Sequence, residues 1–175
     1  MSEPTYIIKI VLLGEANVGK TSLVYRWIEN KFRENYKSTL GVNLLKKDMN
    51  ISGYGEVSAQ IWDLGGQESF KSLRRLYLEG ANGALLVYDT TKIKTFEKLD
   101  DWVQSFKDAR DDAPIILIGN KSDLENQIKI TKNEAIEYSN AHNMGLIITS
   151  AKTGQNVEEA FIELTKRILD QISSI

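Results

Sequence analysis

Short apolar runs that each end in polar residues, separated by amphipathic stretches, constrain this chain more than any other feature. "YIIKIVLLG" (6–14) reads as a buried strand ending at Gly14, and "GKTSLVYRWIENKF" (19–32) follows with helical spacing. "LGVNLLKKDMNI" (40–51) and "EVSAQIWDLGG" (56–66) read as strands joined by a turn at Ser52-Gly53-Tyr54-Gly55, a hairpin signal. "GALLVYDTT", "APIILIGNKSD" and "MGLIITSAK" are three more apolar runs with polar ends. The last helix is the clearest, because Val157, Ala160, Phe161, Leu164, Ile168 and Ile172 recur at helical spacing on one face. Alternation of this kind predicts an α/β fold, a six-stranded, mostly parallel sheet with helices on both faces.

Ligands in such sheets bind outside the carboxyl ends of the strands. The polar motifs fall there. The loop after Leu13, Asp63, Asn120-Lys121-Ser122-Asp123 and Ser150-Ala151-Lys152 each follow a strand and should gather on one edge.

Bulk properties exclude several chemistries. The chain has 175 residues, enough for one domain, and no internal repeat or linker is evident. A net charge of -2 gives no electrostatic footprint for nucleic acid. Without cysteine there is no disulfide, thiolate metal site or thiol nucleophile, and the single histidine, His142, excludes His-rich metal sites. No signal pattern, membrane-length apolar run or lipidatable cysteine is present, so the chain reads as a soluble, cytoplasmic monomer with no membrane anchor in this sequence, and membrane association is expected only through a missing tail or a partner.

"GEANVGKT" (14–21) is a phosphate grip. Gly14 and Gly19 let the backbone turn so that successive N–H groups face phosphate oxygens, and the following helix adds its positive N-terminal end. Gly14, Asn17, Val18, Gly19, Lys20, Thr21 and Ser22 form the candidate binding set. Lys20 can reach the outer phosphates, and the Thr21 hydroxyl can ligate Mg²⁺. "WDLGGQES" supplies the next part: Asp63 for the metal ion, the Gly66 amide for a terminal phosphate, and Gln67 to orient an attacking water.

"NKSD" selects a base. Asp123 can accept two hydrogen bonds from the N1–H and N2–H₂ edge of guanine, a pair of donors that adenine lacks. Asn120 can bind N7 and brace the loops, the stem of Lys121 can cover one face of the base, and the Ala151 amide in "SAK" can donate to O6. Ser150 and Lys152 complete that candidate loop.

With these motifs in this order, nearly the whole chain resembles the Ras superfamily of small GTPases, and "TLGVNL", "QIWDLGGQE" and "YLEGANGALLVYDTT" resemble its Rab branch. The resemblance implies a P-loop NTPase of the small G-domain type over 1–175, with switch I at about 33–43 and switch II at about 64–78. It implies GTP or GDP with Mg²⁺ as ligands. Thr39 would complete the metal shell and join Gln67 and Lys20 in catalysis, Phe32 would pack against the guanine, and Tyr36 would close over the phosphates. Exchange factors, activating proteins and effectors are implied as partners through the switches. Leu44, Trp62 and Tyr77 stand at the positions of the Rab effector triad, so one aromatic has become leucine, and Phe70, Leu73, Tyr77 and Leu78 are too apolar for a freely solvated loop.

Two departures bear on rate. Gly65 stands where Ras and Rab proteins usually carry alanine, which gives switch II more freedom. Ala16 lies where the loop passes the terminal phosphate, and its methyl group can crowd Gln67 or merely replace a serine. No arginine is in register to act in cis, since Tyr36 occupies that position and Arg33 lies out of step. The expectation is a molecular switch with slow intrinsic GTP hydrolysis. The alternative is a guanine-nucleotide-binding scaffold with negligible hydrolysis. His142, Trp27 and Trp102 read as structural, Lys46-Lys47 and Arg74-Arg75 as minor basic pairs, and Glu163–Arg167 as a solvated helix face.

Overall fold

A computed structural model describes residues 4–32 and 41–174, the side chains of residues 68–70 apart. Its strands are β1 (Tyr6–Leu13), β2 (Val42–Ile51), β3 (Gly55–Leu64), β4 (Gly83–Asp89), β5 (Ile115–Asn120) and β6 (Gly145–Ile148). They form one sheet in the order β2-β3-β1-β4-β5-β6. Every neighbouring pair is parallel except β2 with β3. That exception is the hairpin signalled by Ser52–Gly55, and it leaves β2 as an edge strand that alternates between covered and exposed residues. All residues of β4 are buried, as a central strand with helices on both faces requires.

The helices are α1 (Lys20–Glu29), α2 (Arg74–Leu78), α3 (Ile93–Glu97), α4 (Leu99–Ala109), α5 (Lys132–Ala141) and α6 (Val157–Ser173). Alternate side chains along the strands feed two separate cores. Ile8, Ile10 and Leu12 of β1 pack with Val24 and Trp27 of α1 and with Phe161 and Leu164 of α6. Val11 and Leu13 point the other way, to Leu78 of α2, Trp102 and Phe106 of α4, and Ala135 of α5. The face foreseen for α6 is the buried one, and Trp27 stacks on its Phe161 with ring centroids 4.1 Å apart. Glu163 and Arg167 pair at 3.1 Å on the exposed side, the expected solvated i, i+4 pair.

Every parallel strand ends on the same edge. The loops after β1, β3, β5 and β6 therefore converge there, and short crossovers give them little freedom to lie elsewhere.

Candidate functional site

The phosphate loop leaves β1 at Gly14, whose φ of 144° lies outside the range of most side-chain-bearing residues. A Cβ at Gly14 would also sit 2.2 Å from the Val87 carbonyl oxygen. Gly19, at φ 103°, forms the N-terminal cap of α1 without a side-chain hydrogen bond, so no capping side chain covers the amides of that helix end. Lys20 is buried and folds back across the loop, with Nζ donating to the carbonyls of Gly14 at 2.8 Å and Glu15 at 2.9 Å. Burial lowers its pKa to about 8, opposed by the charges of Asp63 and Glu15 and assisted by Arg74. A cation held at a cost in this way is ready for an anionic partner.

Thr21 and Asp63 meet at the mouth of this loop, the hydroxyl donating to Asp63 Oδ2 at 2.5 Å. Asp63 is fully buried. Two hard oxygen donors so placed suit Mg²⁺ in the way carboxylate and hydroxyl oxygens generally do. Gly66 lies directly on the phosphate loop, where a Cβ would stand 2.2 Å from the Ala16 nitrogen and 2.4 Å from the Glu15 carbonyl carbon. The neighbouring Gln67 Oε1 is buried and has no hydrogen-bond partner among the described residues. Gly65 donates its amide to the Gly41 carbonyl at 2.7 Å and so ties the end of β3 to the start of β2.

The loops after β5 and β6, expected to read a base, are joined to each other and to the phosphate loop. Asn120, 1% exposed, donates from Nδ2 to the Val18 carbonyl at 3.0 Å, while its Oδ1 accepts from Thr149 Oγ1 at 3.0 Å and the Ala151 amide at 3.2 Å. The Ala151 amide expected to face a base thus also braces Asn120. Lys121 donates to the Asn17 carbonyl at 2.7 Å and pairs with buried Asp89 at 2.9 Å. Asp123 remains partly exposed and accepts from Ser150 Oγ at 2.8 Å. Arg26 of α1 donates to the carbonyls of Ala151, at 2.8 Å, and Lys152, which anchors that loop from behind.

Phe32 packs, partly buried, against the core beneath α1. Ser22 lies half-buried in the first turn of α1. Tyr36 and Thr39 lie outside the described residues, as does the side chain of Phe70. Leu44 is 57% exposed beside Trp62, its register partner across β2 and β3, and Trp62 lies 6.2 Å from Tyr77 between ring centroids. The triad positions therefore form one contiguous patch. Leu78, grouped with these in the sequence, is instead fully buried.

Sequence reasoning missed Asp89, the buried partner of Lys121. It also treated Arg74 as a surface charge, whereas Arg74 is 4% exposed. An acid closing the apolar run "GALLVYD" was the available signal for the first; the second had none.

A sequence model of the Ras family matches residues 9–170. The Ras-related protein Rab-4A of Bos taurus is 40% identical over 170 residues, which cover 97% of this chain and 78% of that protein. Rab-13 of Canis lupus familiaris is 38% identical over 94% of this chain and 81% of its own length. Rab-4 of Dictyostelium discoideum is 38% identical over 99% of this chain and 85% of its own.

Proposed function

This chain belongs to the Ras family, is homologous to its Rab branch and is a GTP- and GDP-binding switch with GTPase activity; we propose that it cleaves GTP slowly through Gln67 and signals through the patch around Leu44, Trp62 and Tyr77. The observation that carries the chemistry is Gln67, whose Oε1 is buried with no hydrogen-bond partner among the described residues and adjoins the phosphate loop through Gly66. Such an oxygen can accept a hydrogen bond from the attacking water and aim it at the terminal phosphate.

The other residues position and neutralise. The amides of Asn17 to Ser22 cradle the phosphates, and Lys20 meets their negative charge once its bonds to Gly14 and Glu15 are shared. Asn120, Lys121 and Asp123 hold and select guanine, with Ser150 and Ala151 bracing them. Thr21 and Asp63 would hold Mg²⁺, with Thr39 the third protein ligand that the family resemblance assigns. Bound there, the ion supplies positive charge to the phosphate oxygens. Contact of the terminal phosphate with the two switches, at about 33–43 and 64–78, would make the surface readable to effectors, exchange factors and activating proteins. The whole of 1–175 acts as one G domain in this reading, in a cytoplasmic trafficking role like that of the Rab branch.

Binding of fluorescent GTP and GDP analogues with Mg²⁺, repeated with Thr21→Ala and Asp123→Ala, tests the reading. Loss of metal dependence in the first and of guanine preference in the second is the expected result. Unchanged behaviour in both variants would remove these residues from the site.

A further inference from the structure

The five-residue helix α2 follows Gln67 closely and buries only two side chains, Leu78 and Arg74. Leu78 gives it apolar contact without direction. Arg74 gives it direction: Nη1 donates to Asp101 Oδ2 at 2.8 Å, and the guanidinium lies 3.4 Å from the ring centroid of Trp102. A guanidinium so deeply buried is unfavourable unless its surroundings compensate, and Asp101 divides its charge between Arg74 and Lys71. The other terminal nitrogen, Nη2, is buried without a hydrogen-bond partner among the described residues. Packing alone would be served better by an aliphatic residue.

The contacts continue past Arg74 into the phosphate site. Trp102 is fully buried, and its indole Nε1 donates to Glu15 Oε1 at 3.2 Å, across 87 residues of chain. Glu15 is the phosphate-loop residue whose carbonyl accepts from Lys20 and whose carbonyl carbon abuts Gly66. An unbroken line of contacts therefore runs from α2 through Arg74 and Trp102 to Glu15, and returns by Gly66 to Gln67. We propose that Arg74, Trp102 and Glu15 form a positioning relay that holds switch II in register with the phosphate loop, so that cleavage at Gln67 depends on an arginine the chain supplies itself. The relay acts through geometry: Arg74 bonds Asp101 and lies on Trp102, so it is a positioning residue and not an arginine that neutralises the transferred phosphate. It rests on the assignment of Gln67 as the water-orienting group.

Trp102→Phe is the most direct probe, because it keeps an aromatic ring near Arg74 and removes the N–H that reaches Glu15; thermal unfolding reads the separate cost of the lost indole volume in this buried site. Single-turnover GTP cleavage and separate GTP and GDP affinities are measured for Trp102→Phe, Arg74→Met, Arg74→Lys and the Trp102→Phe/Arg74→Met pair. Small misplacements of a reacting geometry cost rate heavily, so each of the first two variants should slow cleavage roughly tenfold and leave GDP affinity within about twofold. Arg74→Lys should recover part of the loss, and the double variant should lose no more than either single one, as members of one contact chain do. Losses that multiply, or equal losses of GTP and GDP binding with cleavage unchanged, would overturn the relay. Should Arg74→Met not fold, an unaltered rate in Trp102→Phe overturns it alone. Cleavage that persists in Gln67→Leu would instead strike the Gln67 assignment.

Discussion

Asn120 donates its side-chain amide to the carbonyl of Val18 at 3.0 Å, joining the end of β5 to the phosphate loop across 102 residues of chain. The loop after β5 and the phosphate loop are thereby tied directly to each other. Asn120→Ala would strand the Val18 carbonyl, the Thr149 hydroxyl and the Ala151 amide, which at least in part lose their partners. A destabilisation of about 2–3 kcal/mol is expected, with faster release of GDP. Thermal unfolding and stopped-flow release of a fluorescent GDP would report both, and unchanged release would show the two loops to be independent.

Asp123 accepts from Ser150 Oγ at 2.8 Å and is only partly buried. Asparagine there would present a donor where guanine also presents donors. Guanine nucleotide affinity should fall about 100-fold in Asp123→Asn, while a xanthine nucleotide, with a carbonyl at that edge, should bind better than to the parent protein. Competition titration against the two nucleotides checks the reversal.

Gly66→Ala confronts backbone rather than a yielding side chain, with a Cβ 2.2 Å from the Ala16 nitrogen. The segment before α2 would have to lift off the loop and carry Gln67 with it. Cleavage should fall on the order of 100-fold, with GDP still bound. A single-turnover assay beside equilibrium GDP binding separates the two effects, and a parent-like rate would mean that this approach plays no part in the reaction.

Strong acid should loosen α2. Burial acts to raise the Asp101 carboxyl, but the hydrogen bonds and charges of Arg74 and Lys71 outweigh it and hold the pKa below its usual value. A depressed carboxyl contributes stability that is present above the ordinary value near 3.8 and is lost as pH falls through the lower folded value. Asp101→Asn should therefore narrow the stability gap between neutral and strongly acidic solution. Urea unfolding across that acid range is the measurement, and an identical pH profile in both proteins would exclude the contribution.

Local patterns were legible in the sequence, and contacts between distant segments were not. The phosphate loop, "NKSD", the β2–β3 turn and the apolar stripe of α6 each depend on residues a few positions apart, so spacing alone revealed them. Thr131 and Glu134 also form a readable capping box at the start of α5, which sequence reasoning passed over. Asp89 and Lys121 meet only because β4 and β5 are neighbours in register. Arg74 resembles any surface arginine until α2 and α4 pack together around Trp102. Charge pairing across elements follows from tertiary geometry, and no periodicity encodes it.

Single-turnover hydrolysis of GTP with Mg²⁺, run on the parent protein, Ala16→Gly and Gln67→Leu, tests the central claim most directly. A slow switch predicts a parent rate well below about 10⁻² s⁻¹, the rate of an enzyme whose own arginine contacts the transferred phosphate. The rate should vanish in Gln67→Leu; a rise in Ala16→Gly would assign the restraint to the Ala16 methyl group, and no change would make Ala16 a stand-in for serine. Equal cleavage by the parent and Gln67→Leu would contradict the assignment of Gln67, and no cleavage by any of the three would contradict an intrinsic GTPase.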